Sequence, residues 1–458
     1  LYAFQGRKIL NYAEKAHEKS RNLENSILLL DVYIQMAMAL MYQFRLEEPF
    51  AFLEKADNLL NVLTNTDTSP IELMERKAMI SYVKAWLYYD QGDHEKALET
   101  AHRCLEIRQK LNLKVDIGLS LLQFGWLHFK SNSKLSLQFI ERAINQGKLI
   151  KYKHLIQQSK MLKGIVNLMK GELEQALDCF KLSLIHYTDI PEDIKDNFGI
   201  AQLLHLTGTV YYEQDNLGQA KKNFEKALEI KTEYGSTVSR SVTLDELISL
   251  SIDQGDLESA EEYLKEMKIL AQQEDIPYLN LGYRIEEARL LKLSPIASNR
   301  ALAEEILKQS LKDKVADEEL KKMILLNLTE ILLTKLRETN NLKLINDIHG
   351  YVDQILKIAK NLESYSLLAE TYLLLAKLDL LKLDLNGAQK HLDRALDIAE
   401  KHGLNQLNRR LIEEQDELFN EINNWERLRN IKSSIDDLIN LVHVEEQLTR
   451  MIRKRFSY

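Results

Sequence analysis

Histidine, cysteine and paired carboxylates are the residues from which chains build metal sites, nucleophiles and general acids or bases. Here none of them is spaced for that work. The 11 histidines never form H-E-x-x-H or another ligand spacing. His391 and His402 have no cysteine or second histidine near them in sequence, so a surface role is expected. The two cysteines, Cys104 and Cys179, cannot build a disulfide framework and lie far from a C-x-x-C spacing. The acid pairs Glu47-Glu48, Glu261-Glu262, Glu286-Glu287 and Glu318-Glu319 have Lys or Arg close by and read as solvated helix faces. No phosphate-binding glycine loop, nucleophile elbow or kinase signature occurs. The expectation is a protein without catalytic residues, metal or cofactor.

A different chemistry is legible in the aromatic residues. Tyr82, Trp86 and Tyr89 stand four and three residues apart, which places them on one helix face. The same spacing recurs in Ile34, Met38 and Met41, in Leu122, Trp126 and Phe129, and in Met161, Ile165 and Leu168. It turns polar in His205, Thr209 and Tyr212, and in Asp245, Ser249 and Ile252. Trp and Tyr are the side chains whose desolvation most often carries binding, and Met re-packs to suit varied apolar partners.

The elements that hold these residues must be helices. Of 458 residues only 5 are Pro and 16 are Gly, too few to punctuate a many-stranded sandwich or barrel. With 45% hydrophobic and 28% charged residues the chain is not disordered. Length alone would suggest about three domains. The balance of 61 Lys+Arg against 69 Asp+Glu lacks the basic footprint of a nucleic-acid binder. Two local clusters, one from Lys148 to Lys163 and one of Arg450, Arg453, Lys454 and Arg455, read as solvated faces. No apolar run reaches the ~18 residues of a membrane span; the richest, Leu367 to Leu385, is broken by Glu370, Lys377, Asp379 and Lys382. A reduced, cytoplasmic location is expected.

Internal repetition is the strongest signal. QGDHEKALETAHRCLEI from Gln91, KGELEQALDCFKLSLI from Lys170, QDNLGQAKKNFEKALEI from Gln214, QGDLESAEEYLKEMKIL from Gln254 and KLDLNGAQKHLDRALDI from Lys382 share one plan. A polar turn leads to a small residue (Ala97, Ala176, Ala220, Ala260, Ala388). A second small or flexible one follows seven later (Cys104, Ser183, Ala227, Met267, Ala395). Weaker copies pair Pro49 with Ala56, Ser136 with Ala143 and Ala303 with Ser310, and Asn346 to Lys360 is a poorly matching ninth. The first small position advances in steps of 39 to 48 residues. Each unit has a leading helix with its own small residue, such as Ala85, Gly164, Gly208 or Ala376. A helix pair so short must bury its apolar face on its neighbours.

This pattern resembles the tetratricopeptide repeat (TPR) superfamily, most fully over residues 200–230, although the closing Pro is absent and the period is near 40. The long repeat is similar to maltose-regulator-type sensor domains and to bacterial peptide-sensing regulators. The resemblance implies an all-α, right-handed α-solenoid of about nine antiparallel helix pairs over residues 1–403, starting inside a repeat. It also implies that the first helix of each pair lines the concave side. The expected partner-binding residues are therefore Met38, Met41, Tyr82, Trp86, Tyr89, Trp126, Phe129, Met161, His205 and Tyr212. The alternative is that a tight array closes over this stripe and makes it ordinary core.

After Gly403, read as a helix end, residues 404–458 carry two further helical patterns. One is Leu407, Leu411, Leu418, Ile422, Trp425 and Leu428; the other follows Ser434 from Ile435 to Ile452. These are expected to cap the last repeat, with docking or self-association as a second role for the final helix. The functional expectation is a non-enzymatic scaffold that binds a protein or an apolar or amphipathic peptide, and neither nucleic acid nor membrane. Its rival is the ligand-sensing module of a larger signalling ATPase or transcription regulator, with an effector domain before Leu1.

Overall fold

Every second helix foreseen from its small residue forms around that residue. The computed structural model describes residues 6–20, 26–41, 47–66, 68–188, 197–234, 237–274, 276–314, 316–420 and 435–453. Among them are 22 helices and no strand. After α1 (Gly6–Ser20) come nine pairs. They are α2 (Ile27–Met41) with α3 (Glu48–Leu63), α4 (Pro70–Asp90) with α5 (His94–Lys110), and α6 (Lys114–His128) with α7 (Ser133–Leu149). Next are α8 (Lys153–Met169) with α9 (Leu173–Thr188), α10 (Asn197–Glu213) with α11 (Leu217–Tyr234), and α12 (Thr237–Asp253) with α13 (Leu257–Glu274). The last are α14 (Pro277–Lys292) with α15 (Ala297–Ser310), α16 (Glu318–Thr339) with α17 (Leu344–Asn361), and α18 (Tyr365–Leu381) with α19 (Leu385–Lys401). α20 (Asn405–Asn420), α21 (Ile435–Leu441) and α22 (Val444–Arg453) follow. The chain is an all-α solenoid of helix pairs.

Five of the turns within pairs share one construction. Gly92, Gly171 and Gly255 take positive φ of +80°, +76° and +71°, and Asp215 and Leu383 take the same left-handed conformation without glycine's freedom. The next polar residue then starts the second helix. Asp93 accepts from the Lys96 amide, Asp256 from Ser259 and Asp384 from Gly387.

Pairs close because small meets large. Ala97, Ala176, Ala220 and Ala260 are fully buried, and so are Phe180 and Phe224. A Cβ on Gly208 would stand 2.7 Å from the Phe224 ring, and one on Gly164 would run into Phe180. Glycine costs a helix interior about 1 kcal/mol; here it lets the aromatic ring seat against the backbone.

Two compact units divide the chain. The first comprises Leu1–Val166, Gln175–Leu206 and Glu229–Ser236. Its core gathers Leu30, Ile34, Leu53, Ile80 and Val83 from α2 to α4, and Ala85, Ala101, Phe124 and Leu127 from α4 to α6. The second comprises Asn167–Glu174, Thr207–Leu228 and Thr237–Tyr458. Its largest cluster runs from Leu325 through Leu373, Leu392 and Leu411 to Leu448 and Ile452.

Three sequence readings are corrected. Glu286 is buried rather than solvated: it pairs with Arg289 at 2.5 Å, and Arg289 also donates to Ser249 Oγ across forty residues. Arg450 and Arg453 are not a free basic face but enter ion pairs, whereas Lys454 and Arg455 lie outside the described residues. His391 does have a second histidine close by, as shown below. Of the tail pattern, Leu407 and Leu411 are buried; the Leu418 side chain, Ile422, Trp425, Leu428 and Ser434 lie outside the described residues. Gly403 ends α19 with φ of +65°, as expected. No described helix is long and apolar enough to cross a membrane.

Candidate functional site

In the first unit α4 and α6 present the aromatic row. Tyr82, Trp86 and Tyr89 are each half-buried and meet edge to face, both ring pairs at 6.4 Å. On α6, Trp126 is half-buried and packs edge-on to Phe129 at 5.3 Å. Edge-to-face geometry is the favoured one for such rings and fixes their orientation. The helices beneath are pinned by Gly125, whose missing Cβ leaves 3.0 Å to Ile140 and to Leu162. Gln123 on α6 donates to the Tyr82 carbonyl at 2.9 Å, tying α6 to α4. Arg108 lies 4.6 Å over the Tyr82 ring and is itself held by Ser120 Oγ at 2.8 Å and the Asp116 carbonyl at 3.0 Å. Burial raises the phenol pKa of Tyr82 and of Tyr89, so both stay neutral donors.

The ten expected binding residues fall into two groups. Tyr82, Trp86, Tyr89, Trp126, Met41 and Met161 are half-buried. Met38, Phe129, His205 and Tyr212 are buried, Met38 in the core of α2 to α4. His205 is pushed well below its ordinary pKa by burial and by Lys231. Tyr212 belongs to the second unit. Its hydroxyl donates to Asp253, and the Arg453 guanidinium stands 5.8 Å from its ring.

That arginine comes from α22, one of two short helices packed within the second unit. α21 and α22 rest on α16 and α18, both first helices of their pairs. Ile435, Leu438, Ile439, Val442, Leu448, Met451 and Ile452 are all buried there. Charges surround this apolar seam. Arg337 on α16 meets Asp436 at 2.8 Å and Glu445 at 3.2 Å. Lys377 on α18, 1% exposed, pairs with Glu414 on α20 at 2.6 Å, and Arg450 approaches the same carboxylate at 3.7 Å. Burial lowers the Lys377 pKa. Gln447 donates to the Glu370 carbonyl, and Arg453 pairs with Asp253 at 2.7 Å. The signal in the sequence was the set of charges breaking the Leu367 to Leu385 run: Glu370 and Lys377 mark the face of α18 that α20 and α22 cover.

Two smaller features lie in the same unit. Leu168, Lys170, Gly171, Thr209, Glu213, Gln406, Leu407 and Arg410 help line a cavity of about 180 Å³. Asp379 stands between His391 Nδ1, at 2.7 Å, and His349 Nε2, at 3.8 Å. Burial, with Lys382 nearby, lowers the His349 pKa. No cluster among the described residues could hold a metal ion.

Set beside known proteins, residues 78–407 match the model of the MalT-like TPR region. None of the curated proteins matches the chain. Solved structures do. The apo form of the quorum sensor NprR from B. thuringiensis is 16% identical, with a TM-score of 0.53 over 76% of this chain and 97% of its own. A Rap protein complexed with competence and sporulation factor is 14% identical, with a TM-score of 0.51 over 78% and 98%. The Rap conjugation gene regulator of plasmid pLS20, in complex with the Phr* peptide, is 13% identical, with a TM-score of 0.50 over 77% and 97%. At these identities the likeness is one of fold.

Proposed function

Because the chain belongs to the MalT-like TPR family through residues 78–407, we propose that it is a non-enzymatic scaffold that binds a peptide or protein segment along the first helices of its N-terminal repeats. The observation that carries this reading is the row of half-buried rings on α4 and α6. Tyr82, Trp86, Tyr89 and Trp126 share one helix face across successive pairs, oriented by edge-to-face contacts and each half-buried. Met41 on α2 and Met161 on α8 extend the row at neighbouring positions of the same helix face. Such a surface recognises an apolar or amphipathic segment, and an amphipathic helix laid in a groove is the recognition mode it fits. That a fold neighbour was solved with the Phr* peptide, and another with competence and sporulation factor, is in keeping with a peptide ligand.

The test is Trp86→Ala and Trp126→Ala. If the rings are anchors, each substitution weakens partner binding by about 2 kcal/mol, roughly thirtyfold, with the melting temperature nearly kept. If they are core, each costs about 3–5 kcal/mol of folding stability instead. The partner is obtained by pull-down from native extract, and binding is followed by calorimetry beside a thermal melt. Stability lost together with shielding of both tryptophans from fluorescence quenchers overturns the reading.

A regulatory module of a larger signalling protein is the second reading. The maltose-regulator-type family model favours it. It uses the same binding face and differs in what the bound segment controls.

A further inference from the structure

The register that carries Trp86 on α4 and Trp126 on α6 is one residue after the mid-helix small residue. On α18 the small residue is Ala376, and that position is Lys377. In the second unit, therefore, the register that elsewhere presents rings is covered. Lys377 is sealed by Glu414 and Arg450, and Tyr212, at the register of Tyr89 and Phe129, is covered by Arg453. α21 and α22 lie where the spacing would place a ligand.

Three observations set this pair of helices apart from ordinary core. First, they are short, seven and ten residues, below the ~12–15 at which an isolated helix holds itself in water. Their helicity depends on the face they cover, so leaving it and unfolding are one event. Second, their charge is polarised. Asp436, Asp437, Glu445 and Glu446 occupy the first turns, and Arg450 and Arg453 close the last. The receiving face is polarised to match. Arg337 meets the acidic end, and Glu414, Asp253 and Asp215 meet the basic end at 3.7, 2.7 and 3.9 Å. Third, the seam is lined with charge. These pairs are part-exposed and add little to stability, whereas complementary charge set around an apolar contact discriminates between partners.

We propose that the face formed by α16 and α18, rimmed by Tyr212, Asp253 and Glu414, is a second binding site. It is specific for an amphipathic pair of short helices, each opening on acidic residues, with an apolar stripe and arginines in the last turn of the second. α21–α22 are its tethered occupant, and a helix pair of the same pattern on another molecule displaces them. This site does not use the aromatic row of the first unit.

The test uses the whole chain and a fluorescein-labelled peptide with the sequence of residues 435–453. Leu448→Asp with Met451→Asp weakens the occupant and leaves the receiving face intact. The peptide should bind this double variant at least tenfold tighter than it binds the unmodified chain, by fluorescence anisotropy. Reversing the peptide's charges (Asp436→Lys, Asp437→Lys, Arg450→Glu, Arg453→Glu) should remove that gain. Adding Trp86→Ala to the variant should leave it unchanged, which separates this site from the aromatic row. Equal affinity for variant and unmodified chain overturns the proposal. Should the variant fail to fold, amide hydrogen exchange on the unmodified protein decides. Leu448 to Arg453 exchanging at least a hundredfold faster than Leu373 to Leu380 supports a removable occupant, and equal protection makes α22 permanent core and overturns it.

Discussion

His205, one of the expected binding residues, is buried, 4% exposed, near Lys231. Its pKa lies well below 6.5, with desolvation the larger cause. Unfolding frees the side chain to take up a proton below about pH 6.5 that the native state refuses. Stability is therefore fully present above that pH and falls as the solution is acidified toward the folded value, by up to about 1.4 kcal/mol per pH unit. His349, also lowered, adds in the same direction. His205→Gln should flatten the dependence. Melting temperatures of both proteins from pH 7.5 to 5.0 should converge at the acid end, and parallel curves would show that His205 does not carry the effect. The half-buried tryptophans belong to this scale too: spacing found them and their ring neighbours Tyr89 and Phe129, at 6.4 and 5.3 Å, but spacing does not report how far each ring stays open.

For the element α18, the question is why charged residues sit mid-helix with 1 to 2% exposure, as Lys377 and Glu370 do. The pairing Lys377–Glu414 joins α18 to α20. Removing one partner strands the other, and breaking a buried pair typically costs about 3–5 kcal/mol. Lys377→Met should approach that value, reduced because Arg450 still faces Glu414. The double variant Lys377→Met with Glu414→Met should recover much of the loss. Urea melts of the four proteins form the cycle, and additive losses would deny the coupling. Elements of this array were largely legible, since second helices announce themselves by a small residue that must be buried. Even the poorly matching ninth copy forms α17, because Ile348, Val352 and Ile355 keep a helical period where the small residue is missing. Glu286 was not legible: its neighbours in sequence look like an exposed charged face, whereas in the fold it is buried beside Arg289, which reaches Ser249 on another helix. Where the tail lands was equally hidden. An apolar stripe fits many faces, and the residues that select one, Arg337, Glu414 and Asp253, are related to it by no local spacing.

At the scale of the whole molecule, an array of repeats is held by neighbours, so its last pair must be covered. Leu404, Leu407 and Leu411 join the core of α18 and α19, as do the buried residues of α21 and α22. Removing Glu413 to Tyr458 should expose the surroundings of Tyr372 and Leu375 and leave Lys377 without Glu414. The truncated chain should melt at a lower temperature and self-associate, as read by light scattering during a thermal ramp. A monomeric product with an unchanged melt would remove the tail's part in stability. This deletion takes away half of α20 as well, so it measures coverage of the array, whereas the charge-reversed peptide measures selectivity.

The matched glycine and phenylalanine have a consequence for how such a chain can be rebuilt by recombination. Gly164 and Phe180 belong to one helix pair, and so do Gly208 and Phe224. Copying or excising residues 197–234 as a block keeps donor and acceptor of the ring together, so a crossover there inherits a working fit. A crossover in the turn at Asp215 would separate them and could set a ring against a new Cβ. The joint between α7 and α8 is different. Gly118 faces Leu155, and Gly147 faces Ile156 and the Tyr152 carbonyl, so this seam is itself a matched surface. Viable splice points in this array are thus set by which side of a turn holds the missing methyl group, and the α7–α8 boundary is a joint where exchange would break a matched surface.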